Sequence, residues 1–272
     1  PNAKNVSLDN DITGVGKISD LKAWWNLLIT EGKKYGYFVN EDKSWLIAKN
    51  SDILEISKTI FCDSTIKFTN EGKRHLGAAL GSDNFRKQYA KEKVSIWCKE
   101  LEKLSEYAKT QPHAAYAAFR HGEIHKYTFF LRTIPGMEEY IKPLDDLLTQ
   151  KFIPNLLDSV VTDNDRKLFS LPVKSGGLGL PILSESCTAQ LQHSREISGP
   201  LKSLIIEQGT SLPSSQTVNE IKNEKKRERD QLLNEKTVTV DQHLSPETIQ
   251  AVEDTRLPGA YQRFLWKHMA FR

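Results

Sequence analysis

Glu71-Gly72-Lys73-Arg74-His75-Leu76-Gly77-Ala78-Ala79-Leu80-Gly81 is the stretch at which the chain changes character. Before it, helix and strand patterns alternate. Thr65-Ile66-Lys67-Phe68-Thr69 has period two, as a half-buried strand does. Glu71-Gly72 reads as a turn and Leu76 to Leu80 as a second strand. Further upstream, Ser19 is an N-cap candidate for a helix that carries Leu21, Trp24, Trp25 and Leu28 on one face and ends at Gly32. Trp45-Leu46-Ile47-Ala48 has the length of a strand. Ser51 and Asp52 can cap a helix over 51–61, where Ile53, Leu54, Ile56 and Ile60 form a stripe. Residues 1–20 are polar, and Thr13-Gly14-Val15-Gly16 suits a turn. The part up to Gly81 therefore predicts helix, strand, helix and hairpin.

Beyond Gly81 the apolar period becomes helical. Phe85, Tyr89, Trp97, Leu101, Leu104 and Ala108 recur at helical spacing and predict one long amphipathic helix. Pro112 suits the first turn of a second helix that runs through Phe119 toward Leu131, kinks at Gly122 and stops at Pro135-Gly136. Helices also fit 137–150, 163–170 and 184–208. Between them, Leu171-Pro172-Val173-Lys174-Ser175-Gly176-Gly177-Leu178-Gly179-Leu180-Pro181 is incompatible with a helix. Residues 209–217 read as a linker and 218–236 as a highly charged, exposed helix. The fold class expected is α+β, predominantly α-helical.

Composition narrows the function classes. The chain has 272 residues, 38% hydrophobic and 27% charged, the balance of a soluble globular protein. A net charge of +3 is too small to argue for nucleic acid by itself, because a footprint needs clustered Lys and Arg. Cys62, Cys98 and Cys187 are too far apart for a zinc motif and odd in number, so free thiols in a reducing compartment are expected. There is no apolar run long enough for a bilayer. An intracellular, soluble chain without a membrane partner is the expectation. It begins at Pro1 rather than Met, which fits a fragment, a processed product or a partial gene model.

Isolated motifs say little. Asp9-Asn10-Asp11 alone is an ordinary surface Asx turn. His121 and His125 have the spacing of two metal ligands, but no third ligand pattern accompanies them. Gly176-Gly177-Leu178-Gly179 lacks the preceding strand, following helix and downstream acid of a dinucleotide site. A tight turn against a helical bundle accounts for it better. Lys87, Lys91, Lys93, Lys99, Lys103 and Lys109 are interleaved with Glu92, Glu100, Glu102 and Glu106. Phosphate contacts and a solvated face explain that pattern equally.

The order of several segments is more specific. Leu8-Asp9-Asn10-Asp11-Ile12-Thr13-Gly14 precedes Trp24-Trp25, then Lys34-Tyr35-Gly36-Tyr37, Asn40, Lys43-Ser44-Trp45-Leu46 and Glu71-Gly72-Lys73-Arg74-His75-Leu76-Gly77. Leu171-Pro172-Val173 and Gly176-Gly177-Leu178-Gly179-Leu180 follow. This series, over roughly residues 8–190, resembles the last palm motifs, thumb and connection of metazoan retrotransposon reverse transcriptases of the non-long-terminal-repeat kind. The resemblance implies a partial palm over 1–82, a helical thumb and connection over 83–210, and a charged helical tail with a linker over 211–272. It implies an RNA-directed DNA polymerase as the parent enzyme, a nucleotidyltransferase that uses two Mg2+ ions held by converging carboxylates. Asp11, Asn10 and Asp9 would mark the metal site, with Asp11 and Lys43 as catalytic residues. Lys43 would offset or protonate the leaving pyrophosphate. Lys73, Arg74, His75, Leu76 and Gly77 would form the hairpin called the primer grip, and Lys87 and Lys91 would contact nucleic acid from the thumb.

One departure qualifies that inheritance. The family's Asp-Asp pair becomes Asn10-Asp11, and neutral Asn is a poor ligand for Mg2+. The fingers and first palm carboxylate are missing from this sequence. The expectation is therefore a fragment that binds template–primer nucleic acid, lacks its N-terminal polymerase half as a partner, holds no metal tightly and cannot polymerise alone. The alternative is a non-enzymatic helical module, derived from that enzyme, that binds nucleic acid or protein.

Overall fold

The structure is a computed structural model and describes residues 3–8, 11–209 and 211–256. In chain order its first elements are β1 (Lys4–Leu8), β2 (Asp11–Val15), α1 (Ile18–Gly32), β3 (Trp45–Ile47), α2 (Ser51–Ile60), β4 (Lys67–Thr69), β5 (Gly72–His75) and β6 (Ala78–Gly81). Then follow α3 (Asp83–Ala108), α4 (Pro112–Ala118), α5 (Ile124–Thr133), α6 (Glu138–Leu147), α7 (Ile153–Leu157) and α8 (Asp163–Ser170). The last are α9 (Leu183–Ile197), α10 (Gly199–Glu207), α11 (Ser215–Asp241) and α12 (Pro246–Arg256). The described chain is mainly helical with small sheets. It divides into two compact units, one drawn from residues 1–89 and 197–218, the other from 90–196 and 219–272.

The first unit holds all the described strands. β1 and β2 form an antiparallel hairpin with Lys4 opposite Val15 and Leu8 opposite Asp11. β3 and β4 are parallel, with Trp45 opposite Lys67, and α2 supplies the crossover that a parallel pair requires. β5 and β6 are antiparallel, with Gly72 opposite Gly81 and His75 opposite Ala78. The core is buried Trp25, Phe61 and Ile66, against which Leu21, Trp24, Leu46 and Phe68 pack. Leu46 points inward, so its period-two neighbour Trp45 faces out. Asn5 joins Gln208, just beyond α10, through side-chain hydrogen bonds.

Several local expectations change here. The Thr13–Gly16 turn is replaced by strand β2, because residues 4–8 pair with 11–15 and their cross-strand contacts outweigh local turn preference. Thr65–Thr69 does contain a strand, but it pairs with β3 rather than with the segment after Glu71. The hairpin turn is Leu76-Gly77, not Glu71-Gly72, and the second strand starts at Ala78. Lys17 rather than Ser19 is the N-cap of α1, and the Asn50 side chain rather than Ser51 or Asp52 caps α2 by accepting from Ile53 N–H.

The second unit is helical. Ala90, Val94, Trp97, Leu101, Ser105 and Ala108 line the buried face of α3 at steps of three and four residues. Pro112 is in the first turn of α4, where its missing N–H costs nothing. The kink expected at Gly122 is a π-helical turn over Phe119–Glu123 between α4 and α5. The helix expected over 137–150 is present as α6, and a second π-turn, Leu148–Phe152, carries it on into α7. Both π-turns deliver a buried phenylalanine, and the Phe119 and Phe152 rings lie 5.1 Å apart. The helix expected over 184–208 is likewise interrupted, at Ser198 between α9 and α10.

The charged helix α11 is longer than expected and is anchored. Lys225 pairs with Glu196 at 2.6 Å and with Glu228 at 2.7 Å, and Lys236 pairs with Glu185 at 2.8 Å. Near its end, Val240 joins Leu168, Leu171 and Val252 in a small core. Among the described residues no helix is long and apolar enough to cross a membrane.

Candidate nucleic-acid interface

The β5–β6 hairpin is short, basic and held from several sides. Both turn residues have positive φ, 47° at Leu76 and 84° at Gly77, the signature of the tight turn that matches strand twist. The first turns of α3 fix it within the first unit. Phe85 packs so closely on Gly72 that a Cβ there would fall 2.5 Å from its ring. Tyr89 donates from its hydroxyl to the Gly77 carbonyl at 3.2 Å. The hairpin is thus anchored at its base and at its tip.

Two further contacts tie it to residues far away in sequence. His75 Nε2 lies 3.2 Å from Thr13 Oγ1, which joins β5 to β2. The Lys73 ammonium sits 4.0 Å from the centre of the Trp45 ring, and Lys67 approaches the same ring at 5.8 Å. Arg74 alternates to the other face of β5 and is exposed. Leu76 is 51% exposed at the tip. A leucine in the left-handed region costs about 1–2 kcal/mol, and an exposed leucine gains nothing from burial, so this hairpin tip is not optimised for its own stability.

The expected metal and catalytic residues are placed less closely. Asp11 starts β2 and is exposed, opposite Leu8. Asp9 and Asn10 lie outside the described residues. No cluster of three or more His, Cys, Asp or Glu suited to a metal occurs among the described residues. Lys43 closes a 3-10 turn over Glu41–Lys43, where Asn40 Oδ1 accepts from its backbone N–H at 3.1 Å. Its side chain is exposed and forms no ion pair among the described residues. Lys87 and Lys91 are both exposed on α3, Lys87 in the first unit and Lys91 in the second. Lys91 lies 5.9 Å from the Tyr140 ring centre. Lys109, expected on the long helix, lies just past its end and pairs with Glu106 at 2.7 Å.

The glycine-rich segment of the second unit serves packing. Tyr116 donates to the Leu178 carbonyl at 2.6 Å and Arg120 to the Gly179 carbonyl at 2.7 Å. Arg166, buried, donates to the carbonyls of Leu180 at 2.7 Å and Pro181 at 2.9 Å, and to Thr149 Oγ1 at 2.9 Å. Burial pulls the Arg166 guanidinium below its ordinary pKa, while the nearby Asp145 and Glu185 carboxylates oppose that shift. The Asp145 carboxylate itself accepts from Leu183 and Ser184 N–H at 2.7 and 2.8 Å, capping α9 from another helix. A phosphate loop would turn its N–H groups to a ligand. Here the N–H groups of Gly177, Leu178, Gly179 and Leu180 donate to the carbonyls of Pro172, Phe169 and Leu171 instead.

Thr13, Phe85 and Tyr89 contact the hairpin, and Trp45 and Lys67 lie beside it, but none of the five was singled out as a site residue from sequence. Their signal was the register: Lys67 meets Trp45 only once β3 and β4 pair in parallel, a long-range choice. No family model, no curated protein and no solved structure matches this chain.

Proposed function

We propose that this chain is a C-terminal piece of a retrotransposon reverse transcriptase, comprising a palm remnant and helical thumb, and that its first unit grips the template–primer backbone through the β5–β6 hairpin. The observation that carries this reading is the Thr13–His75 contact. It joins the basic hairpin to the strand that opens with Asp11, although the two are separated by some sixty residues in sequence. A polymerase needs that juxtaposition, because the primer end must be held beside the turn that presents metal-binding carboxylates.

The division of labour follows from the side chains. Lys73 and Arg74 supply positive charge to a phosphate backbone without reading sequence. The anchored turn holds them in register, and Leu76 at the tip offers an apolar contact to the sugar face. Lys43, free in solvent, would meet the leaving pyrophosphate in the parent enzyme. Mg2+ would supply the activation of the primer hydroxyl there, with Asp11 as one contributor.

Asn10, which stands where the resembling family carries Asp, favours a second reading, in which the module binds nucleic acid without chemistry. Three measurements on the purified chain separate the readings. Duplex binding is expected at low salt, and primer extension with Mg2+ and deoxynucleotides is expected to be absent. A melting shift with Mg2+ plus deoxynucleotide supports a retained polymerase site, whereas duplex binding without that shift supports the non-enzymatic module. Failure to bind duplex at low salt refutes both.

A further inference from the structure

The Trp45 cluster goes beyond a backbone grip. Trp45 opens β3 and faces out, 39% exposed. Lys67 lies opposite it in the parallel pair and Lys73 reaches it from β5. Most lysines with a described partner in this unit are tied to a carboxylate, as Lys22 is to Asp63, Lys34 to Glu31 and Lys58 to Glu55. Lys67 and Lys73 form no ion pair among the described residues and share one indole instead. A cation over an exposed ring is a weak contact and is readily exchanged for a better one. Two ammoniums without a carboxylate suit an anion, and an exposed indole suits a flat apolar surface. One ligand class offers both at the spacing of a single residue: an unpaired nucleotide, with its phosphate and its base.

We propose that Trp45, Lys67 and Lys73 form a contact for single-stranded nucleic acid, in which the lysines leave the ring for a phosphate and a base stacks on the indole. A duplex cannot use this site, since its base faces are already stacked. In the reading given above, which this inference rests on, the site would take the unpaired strand beyond the duplex held by the hairpin.

The test measures binding of the full chain, by fluorescence anisotropy, to a blunt duplex and to the same duplex with an oligothymidine overhang. The overhang is expected to tighten binding about tenfold, the effect of one stacked base. Trp45→Ala is expected to remove that gain while blunt-duplex binding stays. Trp45→Phe keeps a ring and is expected to keep most of the gain, which a merely structural tryptophan would not allow. Lys67→Gln, outside the hairpin, is expected to lower the salt dependence of overhang binding and to leave that of the blunt duplex unchanged. Equal affinity for both substrates overturns the proposal and leaves the duplex reading standing. So does an overhang gain that survives Trp45→Ala, or one abolished equally in Trp45→Phe. Absence of binding to either substrate overturns both.

Discussion

Replacing Arg166 with Met should destabilise the second unit by about 4 kcal/mol. The figure follows from the hydrogen bonds. Arg166 is 5% exposed and donates to three acceptors, of which the Leu180 and Pro181 carbonyls belong to the glycine-rich segment. Met preserves much of the aliphatic volume but has no donor. Each buried carbonyl left without a partner costs about 1–3 kcal/mol, and the Asp145 carboxylate loses its nearby positive charge as well. Arg166→Lys keeps a charge but cannot serve both carbonyls in a fork, so about half the loss is expected. The assay is urea unfolding followed by circular dichroism, with the transition of the helical unit compared between variants. A loss under about 1 kcal/mol for Arg166→Met, with an unchanged slope, would refute the claim that this arginine holds the segment in place.

The same segment makes a steric prediction. A Cβ at Gly177 would lie 2.2 Å from the Leu171 carbonyl and 2.5 Å from that of Leu168, so Gly177→Ala should cost at least about 2 kcal/mol in unfolding experiments. Gly122 has open space around its Cβ position, and Gly122→Ala should instead be neutral or stabilising by about 0.5 kcal/mol. At the hairpin tip, Leu76→Asn should raise stability by about 1 kcal/mol in thermal melts by relieving the left-handed leucine, while weakening duplex binding. The thiols should titrate in order with a disulfide reagent: exposed Cys62 first, and Cys98 more slowly because burial and then Glu102 raise its pKa. Cys187, buried and pushed up to about 12 by burial and the Glu138 and Asp145 carboxylates, should react only on unfolding.

How much of this was legible in the sequence depended on how local the cause was. The stripe from Trp97 to Ala108, Pro112 at a helix start and the break at Pro135-Gly136 are local signals, and the helices they predict are present. The β1–β2 hairpin was not legible, because its exposed polar residues hide the pairing that creates it. The turn at Leu76-Gly77 was misplaced because leucine is a poor residue for positive φ, and Glu71-Gly72 looked the better turn. Nothing local marks Arg166 or Asp145, because their backbone partners come from the segment Leu180 to Ser184, beyond the helices that carry them. Within the candidate site, Lys73 to Gly77 stood out by order along the chain. Their contacts to Thr13, Trp45 and Tyr89 depended on register and could be seen only in three dimensions.

The central claim is that the β5–β6 hairpin grips a nucleic-acid backbone, and its salt dependence tests that claim most directly. Affinity for a blunt primer–template duplex should be measured across a series of salt concentrations for the unaltered chain and for Lys73→Gln/Arg74→Gln. The account predicts a linear fall of log affinity with log salt, and a slope shallower by about 2 in the double variant, because two phosphates are no longer neutralised by the protein. An identical slope in the double variant, or affinity that ignores salt, would contradict it.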